Sequence, residues 1–554
     1  MPVIYSPKSP YFADNIPPEI LASVFANIVT SHSYHYTEEV AAALDEEALT
    51  FRRASQVSRF WRDVSLHQCK RVWGSIINID TSGSDWVQEL ITRSSNFPLT
   101  IQSLPSRRKP IEDFHGNKWT SVLSQMARVK VLHFTLGCHE DASRLVYATS
   151  NLQAPILESF RVGYKCLCGV TPTSELFSFN GRLFDGHCPN LSDFVLTQVP
   201  FIQPTLEIPV TRLVHLDITP DLFSVGPTVS QWLDLLQAQP SLRYLTIAVP
   251  SMYNSTRNNP ITLRQVHLPN LEELSIETPG IEGALIFESL VLPSRCGIAI
   301  RITEPDDDFD GLLQLLNSFG ESIHGCVNKW SGKSSTKKVG SWGLEVDQQH
   351  FAFRLGSEDD EWYNPRIQLH YRCLDDPEDE EGAVLTLLPF FLDMIQTKGI
   401  IDAAHSCALD IQIPILEPIG LVPLLSRCAG KVTDLRLMGH SLWLVAGLFN
   451  KPDRPLFPAL NHITLDGPYM EEVAFGYAYG YFERFLNAIC DAGRGIPMTT
   501  LRVRSDYEFH TRFAEKAKRG FGSRIEEYVP HGTFEDFSEP RYWVRDDELR
   551  AMAV

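Results

Sequence analysis

A short apolar pattern, Leu-x-x-Leu-x-Leu with aliphatic or aromatic replacements, recurs through the middle of the chain at residues 129–134, 157–162, 191–196, 213–218, 242–247 and 271–276. The first positions are 28, 34, 22, 29 and 29 residues apart. Alternation within each instance predicts a strand with its apolar residues on one face and the residues between them on the other. One such strand with its return segment is too small to bury that face alone, so successive copies must stack side by side. The pattern resumes at 432–437, 460–465 and 498–503, with weaker instances at 297–302 and 408–413.

The spacing is close to that of leucine-rich repeats, roughly 20–29 residues, and predicts an irregular α/β repeat solenoid of horseshoe form over residues 127–505. Residues 304–382 interrupt it with three acidic runs and a stretch rich in lysine and serine, and are expected to be an insertion. Within it, the strand-like pieces around Phe353 and Leu369 flank Asn364-Pro365 and are expected to pair as a hairpin. Residues 506–554 are charged and aromatic without a core face, and form a C-terminal extension.

The chain of 554 residues carries 49 Lys and Arg against 68 Asp and Glu, a net charge of −19 that opposes association with phosphate backbones and anionic lipid. Nucleic acid and membrane partners are therefore not expected. The most apolar region, 400–425, is broken by Asp402, Asp410 and Glu417, and no signal segment opens the chain. Eleven cysteines without a repeating spacing suit reduced, buried thiols, so a soluble intracellular protein, cytoplasmic or nuclear, without disulfides is expected.

Residues 1–12 read as a loose tail. Asp14 or Asn15 is placed to cap a helix with Pro17 and Pro18 in its first turn, and Ile20, Leu21, Val24, Phe25 and Ile28 give that helix an apolar face. The polar, acidic stretch 31–50 reads as an extended loop with room for one helical turn. After it, Phe51, Ala54, Val57, Trp61 and Val64 predict a second amphipathic helix, and a third ends near Trp73.

Several constellations hint at chemistry and fail on spacing. Asp306-x-Asp308-x-Asp310-Gly311 matches the first half of a calcium loop, but position twelve is Asn317 where a bidentate Glu is needed; a helix cap is the simpler role. In Gly439-His440-Ser441-Leu442-Trp443, Trp443 replaces the second glycine of a nucleophile elbow, leaving Ser441 as a helix cap. Gly332-Lys333-Ser334 has Val327 where a phosphate loop needs glycine. Cys166 and Cys168, with His187 and Cys188, lie too close in their first pair for a regular zinc site. No cofactor, metal or catalytic residue is expected.

The segment from Asn15 to Ile77 resembles an F-box, in Ile16-Pro17-Pro18-Glu19-Ile20-Leu21 with Val24-Phe25, then Ala54 to Asp63, then Val72-Trp73. The whole chain is similar to fungal F-box proteins with a leucine-rich-repeat-like region. The resemblance implies a three-helix F-box over residues 13–80, linking helices and a strand over 81–126, and the repeat domain beyond. It implies docking on a Skp-type adaptor of a cullin–RING (SCF-type) ubiquitin ligase through Pro17, Glu19, Ile20, Leu21, Val24 and Phe25, with Val57 and Trp61 shared between core and interface. The long 30–50 segment departs from a compact F-box.

In that family the repeats capture the protein to be ubiquitinated. Strand alternation puts His133, Arg161, Asp193, His215, Asp217, Tyr244, Thr246, Glu273, Asp434, Arg436, His462 and Arg502 on the concave, client-binding face. The expected function is thus a non-catalytic substrate receptor of a ubiquitin ligase. The alternative is a repeat-based protein-binding scaffold acting outside ubiquitination.

Overall fold

A computed structural model of the chain describes residues 16–29, 38–103, 117–136, 151–164, 183–198, 212–219, 227–248, 264–278, 281–293, 296–303, 316–317, 319–321, 324, 339–346, 350–357, 367–372, 390–395, 397, 404–411, 431–439, 457, 459–465, 500–504 and 525–528. They divide into two compact units, Met1–Thr246 and Ile247–Val554.

The first unit opens with a helical head. Helix α1 (Pro18–Ile28) starts at a proline that needs no N–H partner there, and the Pro17 carbonyl accepts the first bonds, from Ile20 at 3.0 Å and Leu21 at 3.1 Å. Helix α2 (Glu38–Ala54) occupies most of the stretch expected to be a loop. Glu, Ala and Leu dominate its sequence, and their high helix propensity outweighs the low apolar content on which the loop expectation rested. The expected single helix through Phe51 and Val64 is broken. Ser58 is extended (φ −148°) and its hydroxyl accepts from the Trp61 N–H at 3.2 Å, capping α3 (Arg59–Gln68). Helices α4 (Lys70–Ser75) and α5 (Ser84–Arg93) complete the head.

Aromatic rings hold these helices together. Phe25 meets Phe51 and Trp61 edge-on, each at 5.5 Å, Phe51 lies 4.6 Å from Trp73, and Trp73 lies 6.2 Å from Trp86. The buried Trp73 indole donates to the Ser65 carbonyl at 2.8 Å, and the Arg93 guanidinium covers the Trp73 ring at 4.7 Å. A side chain at Gly74 would put its Cβ 2.6 Å from the Pro98 carbonyl oxygen, so glycine permits α4 to approach the chain entering the sheet.

The parallel sheet of this unit begins at β1 (Ile77–Asn78), some fifty residues before the expected start of the repeats. It continues through β2 (Leu99–Gln102), β3 (Val129–Leu136), β4 (Ser159–Tyr164), β5 (Asp193–Thr197), β6 (His215–Thr219) and β7 (Tyr244–Ala248), each beside the last. Helix α6 (Asn117–Leu123) precedes β3, and α7 (Val229–Gln237) joins β6 to β7. Helix α7 opens with a capping box between Thr228 and Gln231 and buries Val229, Trp232, Leu233 and Leu236.

Each repeat is built alike. Its first leucine (Leu157, Leu191, Leu213, Leu242) is fully buried two residues before the strand, and the following apolar pair (Phe160 and Val162, Phe194 and Leu196, Leu216 and Ile218, Leu245 and Ile247) is buried within it. The carbonyl of the second repeat residue accepts two N–H groups from the next repeat: Glu158 from Ser192 and Asp193, Ser192 from Val214 and His215, and Val214 from Arg243 and Tyr244. That double bond fixes the register of one repeat on the next.

The second unit holds β8 (Val266–His267), β9 (Glu273–Thr278), α8 (Ile281–Ser289), β10 (Leu290–Val291), β11 (Gly297–Thr303), β12 (Val339–Val346), β13 (His350–Ser357), β14 (Ile367–Arg372), β15 (Ser406–Ile411), β16 (Asp434–Gly439), β17 (His462–Leu465), β18 (Thr500–Arg504) and β19 (Ile525–Tyr528). Strands β8 and β10 form a separate parallel pair. The others run β9, β11, β14, β13, β12, β15, β16, β17, β18, β19 across one sheet, parallel except where β13 lies antiparallel to β14 and β12. The expected hairpin is thus β13 and β14. The segment expected to be an insertion supplies three strands of this sheet, and the segment expected to be an extension supplies β19. A strand can join a sheet by backbone bonds without the leucine signature.

The division of the head between core and surface is measurable. Phe25→Ala is expected to cost about 3–5 kcal/mol of stability and Ile20→Ala less than about 1 kcal/mol, read from the thermal unfolding of the two variants against the unmutated chain.

Candidate functional site

Two surfaces carry the residues singled out by sequence. On the helical head, the residues matching the F-box pattern separate by burial. Leu21 and Phe25, expected to face an adaptor, are 1% and 0% exposed, and Phe25 sits among the aromatic rings. Their i, i+4 spacing turns them toward α2 and α3, and Trp61 is half-buried against Phe25. Ile20 and Val24 are 56% and 50% exposed, Val57 is 61% exposed in the turn between α2 and α3, and Pro17 and Glu19 are also exposed. The apolar residues of α1 thus point two ways.

The second surface is the sheet face opposite the buried leucines. Strand pairing sets two rows across it in the first unit: Val131, Ser159, Asp193 and His215, and beside it His133, Arg161, Val195 and Asp217. Asp193 is the hub, its side chain 1% exposed. Its Oδ2 accepts from the Ser159 hydroxyl and from Arg161 Nε at 2.7 Å, and its Oδ1 accepts from Arg161 Nη2 at 3.1 Å and from His215 Nδ1 at 2.6 Å. His133 Nε2 lies 2.7 Å from the Ser159 hydroxyl. Because that hydroxyl gives its hydrogen to Asp193, the His133 Nε2 must donate to it.

The electrostatics follow from the bonds. Burial pushes the Asp193 pKa up, but the hydrogen bond from His215, the charge and hydrogen bond of Arg161 and the charge of His215 together bring it to about 2. His133 is kept neutral, its pKa lowered to about 3 by burial first and then by Arg161, against the opposing pull of Asp193. Asp217 behaves in the opposite sense. Its Oδ1 is buried without a hydrogen-bond partner among the described residues, and burial raises its pKa to about 7, helped by Asp193 and opposed by His215 and Arg161.

The order of these groups does not make an activated nucleophile. Ser159 donates to a carboxylate and receives from His133, whereas a nucleophilic serine must donate to an imidazole. Arg161 and Asp193, expected among the client-reading residues, are on the expected face but committed to each other and buried. His215 is tied to the same hub and meets Tyr244 edge-on at 6.1 Å. Glu273 is exposed and Thr246 half-buried.

The second unit repeats the first row. Ser406, Asp434 and His462 stand in register on three consecutive strands, as Ser159, Asp193 and His215 do. Here Asp434 Oδ2 accepts from the neighbouring Thr433 hydroxyl at 2.6 Å, and His462 Nδ1 is buried without a hydrogen-bond partner among the described residues. The next row runs Arg436, Thr464 and Arg502.

Ser159 carried no functional expectation, although it fills the same repeat position as Asp193 and His215; comparing that position from strand to strand was the available signal. Asp306, Asp308 and Asp310, Cys166 and Cys168, Lys333 and Ser334, and Ser441 lie outside the described residues. Among the described residues, no group of three or more His, Cys, Asp or Glu could hold a metal ion, and no helix is long and apolar enough to cross a membrane.

A scan against protein-family models and a search of curated proteins find no match. Among solved structures, the leucine-rich repeat-containing protein LegL7 from Legionella pneumophila is similar at 12% identity over 67% of this chain and 90% of that one, with a TM-score of 0.25. The repeat architecture described above rests on the strand pairing itself.

Two outcomes test the network. Asp193→Ala strands a buried guanidinium and is expected to destabilise the first unit by about 3–5 kcal/mol, measured by denaturant unfolding. The folded Asp217 carboxyl takes its charge only near pH 7, far above the ordinary carboxylate value of 3.8. Its neutral form therefore favours the fold fully below about pH 4, and that advantage is lost as the pH rises to about 7. In thermal unfolding from pH 4 to 8, Asp217→Asn should flatten the fall in stability; an unchanged slope would show that Asp217 ionises normally.

Proposed function

We propose that this chain is the substrate receptor of an SCF-type cullin–RING ubiquitin ligase, its helical head docking on a Skp-type adaptor and its repeat sheets holding a protein client. The observation that carries this is the split on the head: Leu21 and Phe25 close the core while Ile20, Val24 and Val57, at 56%, 50% and 61% exposure, stay uncovered at motif positions. Leaving large aliphatic side chains in water has a free-energy cost, and a partner that covers them recovers about 1 kcal/mol for each half-exposed side chain.

In this role no residue is catalytic. The receptor raises the rate by holding its client near a ubiquitin-conjugating enzyme, which supplies the chemistry. The cytoplasm or nucleus is its place of action, in keeping with free, buried Cys69, Cys188, Cys296 and Cys407. Exposed or half-buried residues of the sheet face, such as Tyr244, Thr246, Glu273, Asp434, Arg436 and His462, are better placed to read a client than the locked Arg161–Asp193 pair.

Adaptor binding is the test. The full chain should capture a purified Skp-type adaptor, and Ile20→Glu with Val24→Glu should lower that affinity at least about a hundredfold while thermal unfolding is unchanged. Equal capture by the double variant would remove the basis for the adaptor role.

A further inference from the structure

The head carries a charge feature that the adaptor role does not use. From Phe51 to Trp73 the sequence places Arg52, Arg53, Arg59, Arg62, Lys70 and Arg71 against a single acid, Asp63, in a chain whose overall charge is −19. Elsewhere several described basic groups find carboxylates, Arg93 bonding Glu89 at 2.7 Å, Lys130 bonding Glu158 at 3.0 Å and Arg161 bonding Asp193, while Arg128 bonds the Phe97 carbonyl at 2.8 Å. Arg52 is spent on the Trp86 ring, 4.6 Å away. Arg53, Arg59 and Arg62 are exposed and form no ion pair among the described residues, although Asp63 stands one turn from Arg59 on α3. They flank Val57 in the chain, Arg53 four residues before it and Arg59 two after, and α3 packs beside α1.

We infer that Arg53, Arg59 and Arg62 form a basic rim that steers and seats an acidic surface of the adaptor beside the uncovered apolar residues. This deepens the adaptor role and rests on it. The physics is that of an interface with an apolar centre and a charged edge. The apolar residues set how long the complex lasts, and the rim sets how often encounters succeed, because exposed charges act at long range in water and are screened by salt. The strong negative charge of the rest of the chain makes the patch selective. The net charge of −19 opposes a long polyanion such as duplex DNA more than a compact acidic patch.

The experiment follows association and dissociation of the full chain with a purified Skp-type adaptor at about 0.05 M and about 0.5 M salt. For Arg53→Glu, Arg59→Glu and Arg62→Glu combined, association should slow about tenfold at low salt with little change in dissociation, and the difference should close at high salt. The matching triple Arg→Lys variant, which keeps the charge, should associate like the unmutated chain, and unchanged thermal unfolding of both excludes a folding defect. Equal association rates for the Glu variant at low salt would overturn the rim and leave the adaptor role standing. No adaptor binding by the unmutated chain would overturn both. Rim-dependent binding of duplex DNA or anionic vesicles, without rim-dependent binding of the adaptor, would overturn the inference in favour of a polyanion site.

Discussion

A strand with one greasy face cannot stand alone, and the rest of this structure follows from how the chain meets that constraint. Each repeat sinks its first leucine below the sheet two residues before the strand, and the carbonyl beside it takes two N–H groups from the next repeat. Apolar burial supplies the drive, while the paired backbone bonds supply the register. Register, in turn, decides which polar residues meet on the opposite face. Ser159, Asp193 and His215 are separated by 34 and 22 residues in sequence, yet they occupy the same repeat position and so form one row.

That row shows how a sheet face suited to binding can be closed by its own side chains. Asp193 lies in a nearly water-free position and accepts bonds from Ser159, Arg161 and His215, enough to keep it charged despite burial. The equivalent row of the second unit has the same three residue types with no arginine fork on its aspartate among the described residues. Two rows of like composition therefore differ in how far their polar groups are satisfied internally, and the less satisfied one is the better ground for an outside partner. The head applies the same division to apolar residues, with Leu21 and Phe25 turned inward and Ile20 and Val24 outward from a single helix.

Strand positions were legible in the sequence because period-two alternation with buried leucines is a local signal; β3 to β7, β9, β11 and β15 to β18 fall where it predicts. The strands it missed, among them β12, β19 and the short β1, pair through backbone bonds that leave no such mark, while β2 falls within the stretch expected to hold a linking strand. Helix α2 was missed for another reason: its sequence is acidic and rich in alanine, and a weakly apolar helix is marked more by propensity than by periodicity. At the candidate site, alternation put Arg161, Asp193, His215 and Asp217 on the correct face. It could not tell that Arg161 and Asp193 are buried there, since burial depends on neighbours distant in sequence.

What the head does in the cell depends on whether its uncovered side chains are a docking surface. Hydrogen–deuterium exchange of the full chain, with and without a purified Skp-type adaptor, addresses this directly. Slowed exchange confined to α1 and to the turn around Val57 is the predicted result. Protection that falls on the repeat strands while α1 exchanges as before would contradict it.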